Sequence, residues 1–278
     1  MVNYGIKKVF ININLYFTLN IATNVFTISF HESIFYLQYY KICSYYIMTT
    51  YKNNVAIVVA RYNESLYWLN EYPFNQFEYI VYNKGDNDHF VKTNVKEIIN
   101  LPNVGRCDHT YLYHIVKNYT NLTDIVVFFP GSVIMSHKKP VAIRILQNII
   151  DSNYTKASFI GSYFNSIKND FKDFKIDHYK CTYEENVIKN NESRILPCKI
   201  RPYSNWYNFF FGNVNAHLVA MSGVFSVDKR DIIQHDLDRY DRLMSTVSLH
   251  SNPEAGHYIE RSWGVIFYPF NYTLKIKR

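Results

Sequence analysis

Apolar positions arrive along this chain in short unbroken runs that stop abruptly at polar clusters. Residues 55–60 (Val-Ala-Ile-Val-Val-Ala) end at Arg61-Tyr62-Asn63-Glu64, and the run from Tyr79 through Tyr82 ends at Asn83-Lys84-Gly85-Asp86. Runs of this kind, rich in β-branched residues, read as strands buried on both faces, which belong to parallel sheets covered by helices. Between them, residues 64–72 predict a short helix with Leu66, Trp68 and Leu69 on its apolar side and Pro73 as its stop. A third strand is predicted at 98–101, then a turn through Pro102 and Gly105, then a helix over 108–118. Tyr111, Leu112, Ile115 and Val116 have helical spacing there, and Asp108 reads as the helix cap. A buried strand at 124–129 is closed by Pro130-Gly131; a helix at 140–150 and a strand at 157–163 follow.

This alternation implies right-handed crossovers, and so an α/β fold: one Rossmann-like domain with a mainly parallel central sheet flanked by helices. Over residues 165–215 the pattern loosens into polar and aromatic sequence containing Trp206, Tyr207 and Phe209-Phe210-Phe211. Two readings stand for it: an acceptor-binding insert, or surface loops with one aromatic plug in the core. Order returns with a strand at 220–227, a helix from Lys229, an amphipathic helix over 237–249 and the segment Asn252 to Trp263, which is treated as helical.

Residues 1–47 differ from the rest. No charged residue occurs over 9–30, Lys7 and Lys8 precede that stretch, and its length as a helix would span a bilayer. Asn12, Asn14, Asn20 and Asn24 interrupt it, however, and Asn is costly in hydrocarbon. Two readings remain, a signal anchor or an in-frame extension ahead of a start at Met48, and the second is preferred. The division expected is 1–47 as extension and 48–278 as the working domain. A start at Met48 implies a cytoplasmic protein, of a host cell or virus factory; a spanning segment implies a membrane anchor.

Composition adds limits. The 278 residues carry a net charge of +7, which favours anionic partners such as nucleotides. Basic residues are scattered without an interleaved basic and aromatic surface motif, so nucleic-acid binding has no support. Cys43, Cys107, Cys181 and Cys198 are too far apart in sequence for paired zinc knuckles. Free thiols are expected, with a Cys181–Cys198 disulfide as the alternative in an oxidising lumen. There is no Gly-x-Gly-x-x-Gly, no phosphate loop ending in Gly-Lys-Ser/Thr, no nucleophile elbow and no His-Glu-x-x-His. Dehydrogenase, kinase, hydrolase and metalloprotease readings therefore lose their support.

Ligands of open parallel sheets bind at the carboxyl ends of the strands, where Arg61, Asn63, Glu64, Asn83, Lys84 and Asp86 would project. These strand ends, with the turn Asn103-Val104-Gly105-Arg106, resemble the nucleotide-sugar glycosyltransferases of the GT-A fold. In that large inverting family the first strand ends in Tyr-Asn-Glu, the second in an Asp-rich turn, and an Asn-x-Gly element opens the next helix. Adding Tyr82-Asn83-Lys84-Gly85 and Gly256-His257-Tyr258-Ile259-Glu260-Arg261-Ser262-Trp263, the chain is similar to a poorly characterised group of viral, fungal and bacterial glycosyltransferase-like proteins over roughly residues 55–268. The resemblance implies a nucleotide-sugar donor held by the strand-end residues with Gly85, Asn103, Gly105 and Arg106, and a glycan or glycoprotein acceptor.

One departure stands out. Metal-dependent members carry Asp-x-Asp after a later strand, holding Mn or Mg on the sugar diphosphate, whereas here that strand ends Pro130-Gly131-Ser132. Asp86 and Asp88 have the spacing but follow the second strand, where they are weak metal candidates; Asp236 and Asp238 also have it and read as a helix cap. Lys84, Arg106 or Arg261 could supply the charge instead. A base must take the acceptor's proton, and Glu260, with Glu254 as rival and His257 beside them, is the candidate. If helical, Glu254, His257 and Arg261 share one face. The competing readings are a catalytically inactive binding module of the same fold and, third, a basic nucleic-acid-binding protein.

Overall fold

The computed structural model describes residues 54–176 and 195–278. The expectations for 1–47, for the stretch 9–30, for Met48 and for Cys181 lie outside the described residues. No helix among the described residues is long and apolar enough to cross a membrane. Cys107 and Cys198 are free thiols.

Strands β1 (Val55–Arg61), β2 (Tyr79–Asn83), β3 (Val95–Asn100) and β4 (Ile125–Pro130) pair in parallel, with β7 (Phe225–Asp228) antiparallel at the edge, in the order β3-β2-β1-β4-β7. β1 is buried at all seven positions. Its alternate residues feed two cores: Val58 and Ala60 on one face, Ile57 and Val59 on the other. Helix α1 (Arg106–Asn118) covers the first face through Tyr111, Leu112 and Ile115, and α2 (Lys139–Asp151) covers the second through Ile145, Leu146 and Ile149. This is the mixed α/β, mainly parallel architecture that the sequence pattern implies.

β5 (Ser158–Tyr163) leads into a smaller sheet ordered β6-β5-β8, with β6 at Leu218–Val219 and β8 at Leu274–Lys277. The chain also forms α3 (Ile167–Asp170), α4 (Tyr203–Phe211), α5 (Lys229–Ile233), α6 (Leu237–Ser245) and α7 (Glu254–Ile266).

Three expectations need correction. Residues 64–72 form a 3-10 turn at Tyr67–Asn70 instead of a helix, because Leu66 enters it in the left-handed region at φ 55°. Leu66, Trp68 and Leu69 are nonetheless buried. The strand expected at 220–227 begins only at Phe225, in β7, because the residues before it form a turn in which Ser222 and Gly223 have φ of 84° and 66°. The aromatic stretch is no loop: α4 buries Tyr203, Trp206, Tyr207 and Phe211, and Tyr203 and Trp206 meet the Tyr258 ring of α7 at 5.5 and 5.6 Å.

Candidate functional site

In a sheet of this order the chain runs from β1 through β2 to β3 on one side and then crosses to β4 on the other, so the order switches between β1 and β4, the place where a crevice forms at the carboxyl ends. Glu64 lies in it: its Oε2 accepts from the Tyr62 amide at 2.7 Å, and a Cβ placed on Gly131 would stand 2.6 Å from that oxygen. Gly131 thus lies directly under the end of the Glu64 side chain. The Trp68 indole donates to the Gly131 carbonyl at 3.0 Å, pinning the far wall. Just beyond, Lys138 donates to the Ser132 hydroxyl at 2.9 Å. Burial lowers the Lys138 pKa, while the thiol of Cys107 and the charges of Glu260 and Glu64 favour its cation and Arg106 opposes it. One ammonium therefore senses the ends of β1, α1 and α7 together.

Glu260 is half-buried, with its Oε1 accepting from the Ser222 amide at 2.8 Å. Asp108 is 2% exposed and accepts from the Trp263 indole at 2.9 Å. Burial, and then the Glu260 charge, push its carboxyl up to about 7, against the indole hydrogen bond and Arg106. Burial likewise pushes the neighbouring Cys107 thiol up to about 12, so it is no ready nucleophile. Arg106, the first residue of α1, donates to Asn252 Oδ1 at 3.3 Å.

Several residues chosen from the sequence work for the fold instead. Arg61 is fully buried: Nε donates to the Glu64 carbonyl at 2.8 Å, Nη1 to Asn83 Oδ1 and the Asn87 carbonyl at 2.5 and 2.7 Å, and Nη2 to Asn87 Oδ1 at 2.7 Å. Its face lies 4.3 Å from the Phe90 ring centre. Arg61 and Asn83 thereby staple the loop after β2, and the exposed Asn63 accepts from Asn87 in the same loop at 2.8 Å. Gly85 serves this loop as well, since a Cβ there would stand 1.6 Å from the Tyr62 carbonyl oxygen. Lys84 is buried with its ammonium on the carbonyls of Val104 and Arg106, and burial lowers it to about 8. It fixes the turn that opens α1.

In that turn Asn103 is half-buried, while Gly105 has φ 59° and donates to the His250 carbonyl at 2.7 Å. Asp86 and Asp88 are exposed, and Asp88 is paired with Lys92 at 3.0 Å. No group of three His, Cys, Asp or Glu side chains converges among the described residues. Asp236 precedes α6 without a side-chain cap bond, and Asp238 pairs with Arg242 at 2.9 Å.

On α7, Glu254 is a poor base candidate because its carboxylate is fully buried and saturated. It accepts from the amides of Ile176 and Cys198 at 2.9 and 2.7 Å, from Tyr258 at 2.9 Å, and pairs with Arg201 at 2.9 Å. His257 approaches Asn252 Oδ1 at 3.2 Å. Burial, with Arg106 and Arg261 nearby, lowers its imidazole to about 3, too weak for a base near neutrality. Arg261 donates to the His257 carbonyl at 2.8 Å and stacks 3.7 Å over Phe174. Of the expected set, Glu64, Arg106 and Glu260 are the charged groups whose fields act on Lys138. Asp108, read as a cap, makes no cap bond and accepts from the Trp263 indole; Ser132 and Lys138, which meet each other, were not foreseen. Only Asp108 had a signal: a carboxyl early in a helix beside a buried indole.

Residues 57–273 match the model of a family described as "Protein of unknown function (DUF3431)". No curated protein matches the chain.

Proposed function

The chain belongs to this family of unknown function, and within it we propose a glycosyltransferase-like enzyme that moves a sugar from a nucleotide-sugar donor to a glycan or glycoprotein acceptor. The observation that carries the reading is a cavity lined by Lys138 and by Ser222, whose amide holds the Glu260 carboxylate, so that a carboxylate base candidate and a cation stand at one opening.

In the inverting form of the reaction, Glu260 takes the proton of the acceptor hydroxyl as its oxygen attacks the anomeric carbon. The bond from that carbon to the diphosphate oxygen breaks, and the diphosphate leaves with the electron pair. Lys138 and Arg106 are placed to hold the charge that develops there, the role a divalent ion has where a carboxylate follows the strand. The backbone amide of Ser222 keeps the Glu260 carboxylate oriented.

Hydrolysis and transfer measured over a panel of nucleotide sugars test this. Turnover with at least one donor is expected, falling by about 10²–10⁴-fold in Glu260→Gln with the circular dichroism unchanged. Nucleoside diphosphate binding without turnover would favour the inactive binding module. Neither binding nor turnover with any donor overturns the reading.

A further inference from the structure

Where the loop before α2 meets the smaller sheet, a cavity opens that the fold leaves unfilled. His137, Lys138 and Arg278 line it, together with the buried Ile160 and Val224, and Ser222 stands in its wall. It has room inside for about one water-sized group and opens to solvent on one side.

Two segments far apart in sequence bring the basic groups together. Arg278 follows β8, and its amide prolongs the pairing with β5 by donating to the Gly161 carbonyl at 2.9 Å. Its guanidinium then reaches the opposite segment and donates to the His137 carbonyl. Lys138, the residue before α2, donates to the Ser132 hydroxyl at 2.9 Å. These bonds leave donors unspent, because a guanidinium and an ammonium each carry more N–H groups than are used here.

The charges around the cavity are unbalanced. No carboxylate lines it among the described residues. The acids whose fields reach its groups are Glu260, which acts on His137 and Lys138, and Glu64, which acts on Lys138. Glu260 already has one oxygen on the Ser222 amide. Burial, and then the charges of Lys138 and Arg278, hold the His137 imidazole below its ordinary range, so the three basic groups crowd one another. Two cations and an imidazole around a space for one oxygen suit a tetrahedral oxyanion. A carboxylate brings a single charge against two cations, whereas a phosphate group brings close to two.

We propose that this cavity binds a phosphate group, with one oxygen seated inside and the others held at the mouth by Lys138 and Arg278 beside the His137 ring. The inference deepens the proposed reaction, because Lys138 belongs to both, and it extends the holding of charge to two residues beyond the strand ends. The binding itself does not depend on sugar transfer. Two sources present the same chemistry: the diphosphate of a nucleotide sugar, and a phosphate carried by the acceptor.

Inorganic phosphate is the probe, titrated into the full chain by calorimetry, with the His137 imidazole followed by NMR. Saturable binding is expected, weakened about tenfold in Lys138→Gln and in Arg278→Gln. Lys96→Gln, which removes a charge from β3 at the edge of the main sheet, should leave it unchanged. Bound phosphate should also raise the midpoint of the His137 titration, because a nearby anion favours the charged ring. A nucleoside diphosphate that displaces the phosphate identifies the donor as its source, and one that binds alongside it identifies the acceptor; either result supports the site. No saturable phosphate binding, or binding as strong in Lys138→Gln and Arg278→Gln as in the unaltered chain, overturns the proposal. Absent turnover with every donor would sink the reaction and leave the site standing, and turnover in a chain that binds no phosphate would do the reverse.

Discussion

Glu254 and Glu260 stand six residues apart on one helix, and their surroundings give them opposite tasks. Every lone pair of Glu254 meets a donor from the protein, including amides on both sides of residues 177–194, so its carboxylate closes that part of the fold onto α7. Glu260 has one backbone donor and is half exposed, which leaves capacity for a proton. Glu254→Ala removes a fully buried acceptor from Arg201, Tyr258 and two amides. The expected loss is about 3 kcal/mol of stability, read as a lower urea midpoint. Glu260→Gln should shift the midpoint by less than about 1 kcal/mol while abolishing turnover. Equal losses in the two variants would show that α7 does not divide its carboxylates in this way.

At the level of elements, the packing of α7 depends on one close approach that admits only glycine. Gly264 lets α7 lie against β6: a Cβ there would stand 1.8 Å from the Leu218 carbonyl oxygen, which is backbone and cannot swing aside. Gly264→Ala should therefore cost about 3 kcal/mol in thermal unfolding. Gly212, at φ 60° and ψ −127° with nothing within 4 Å, should cost only backbone strain, about 1–3 kcal/mol as Gly212→Ala. The strands β1, β2 and β4 and the helices α1 and α2 were legible in the sequence because each is a periodic or unbroken apolar segment, whereas α7 entered only as a condition on its residue spacing. The 3-10 turn at Tyr67–Asn70 and the break between β6 and β7 were not, since both turn on left-handed residues, Leu66 and Ser222, that carry no local signature. Glu64, Arg106 and Glu260, named from the sequence, are left with capacity for a ligand by their surroundings, which is what the proposed function uses. Arg61, Asn83 and Lys84 misled because a polar residue at a strand end can serve a loop as well as a ligand, and only the carbonyls around it decide.

Over the whole molecule, buried titratable groups set how stability depends on pH. His109 and His114 on α1 are buried, and desolvation lowers both imidazoles to about 4; His257 is lowered to about 3. His114 is tied to the Tyr82 hydroxyl at 2.9 Å, a bond available to the neutral ring. Unfolded, each would bind a proton near its ordinary 6.5. Their stabilising effect is therefore complete above that value and is lost as the pH falls from 6.5 toward 4, because the unfolded chain then takes up protons that the folded one refuses. Asp108 has the opposite sign. Held up to about 7 in the fold against 3.8 otherwise, it stabilises most in acid and loses that contribution as the pH rises through 7. Three imidazoles against one carboxyl leave acid as the destabilising direction, at roughly 2 kcal/mol per buried imidazole by pH 5. Melting temperatures recorded between pH 7 and 5 should fall, and His114→Asn should flatten that fall while Asp108→Asn steepens it. A melting temperature independent of pH over this window would mean that these rings reach water in the folded protein.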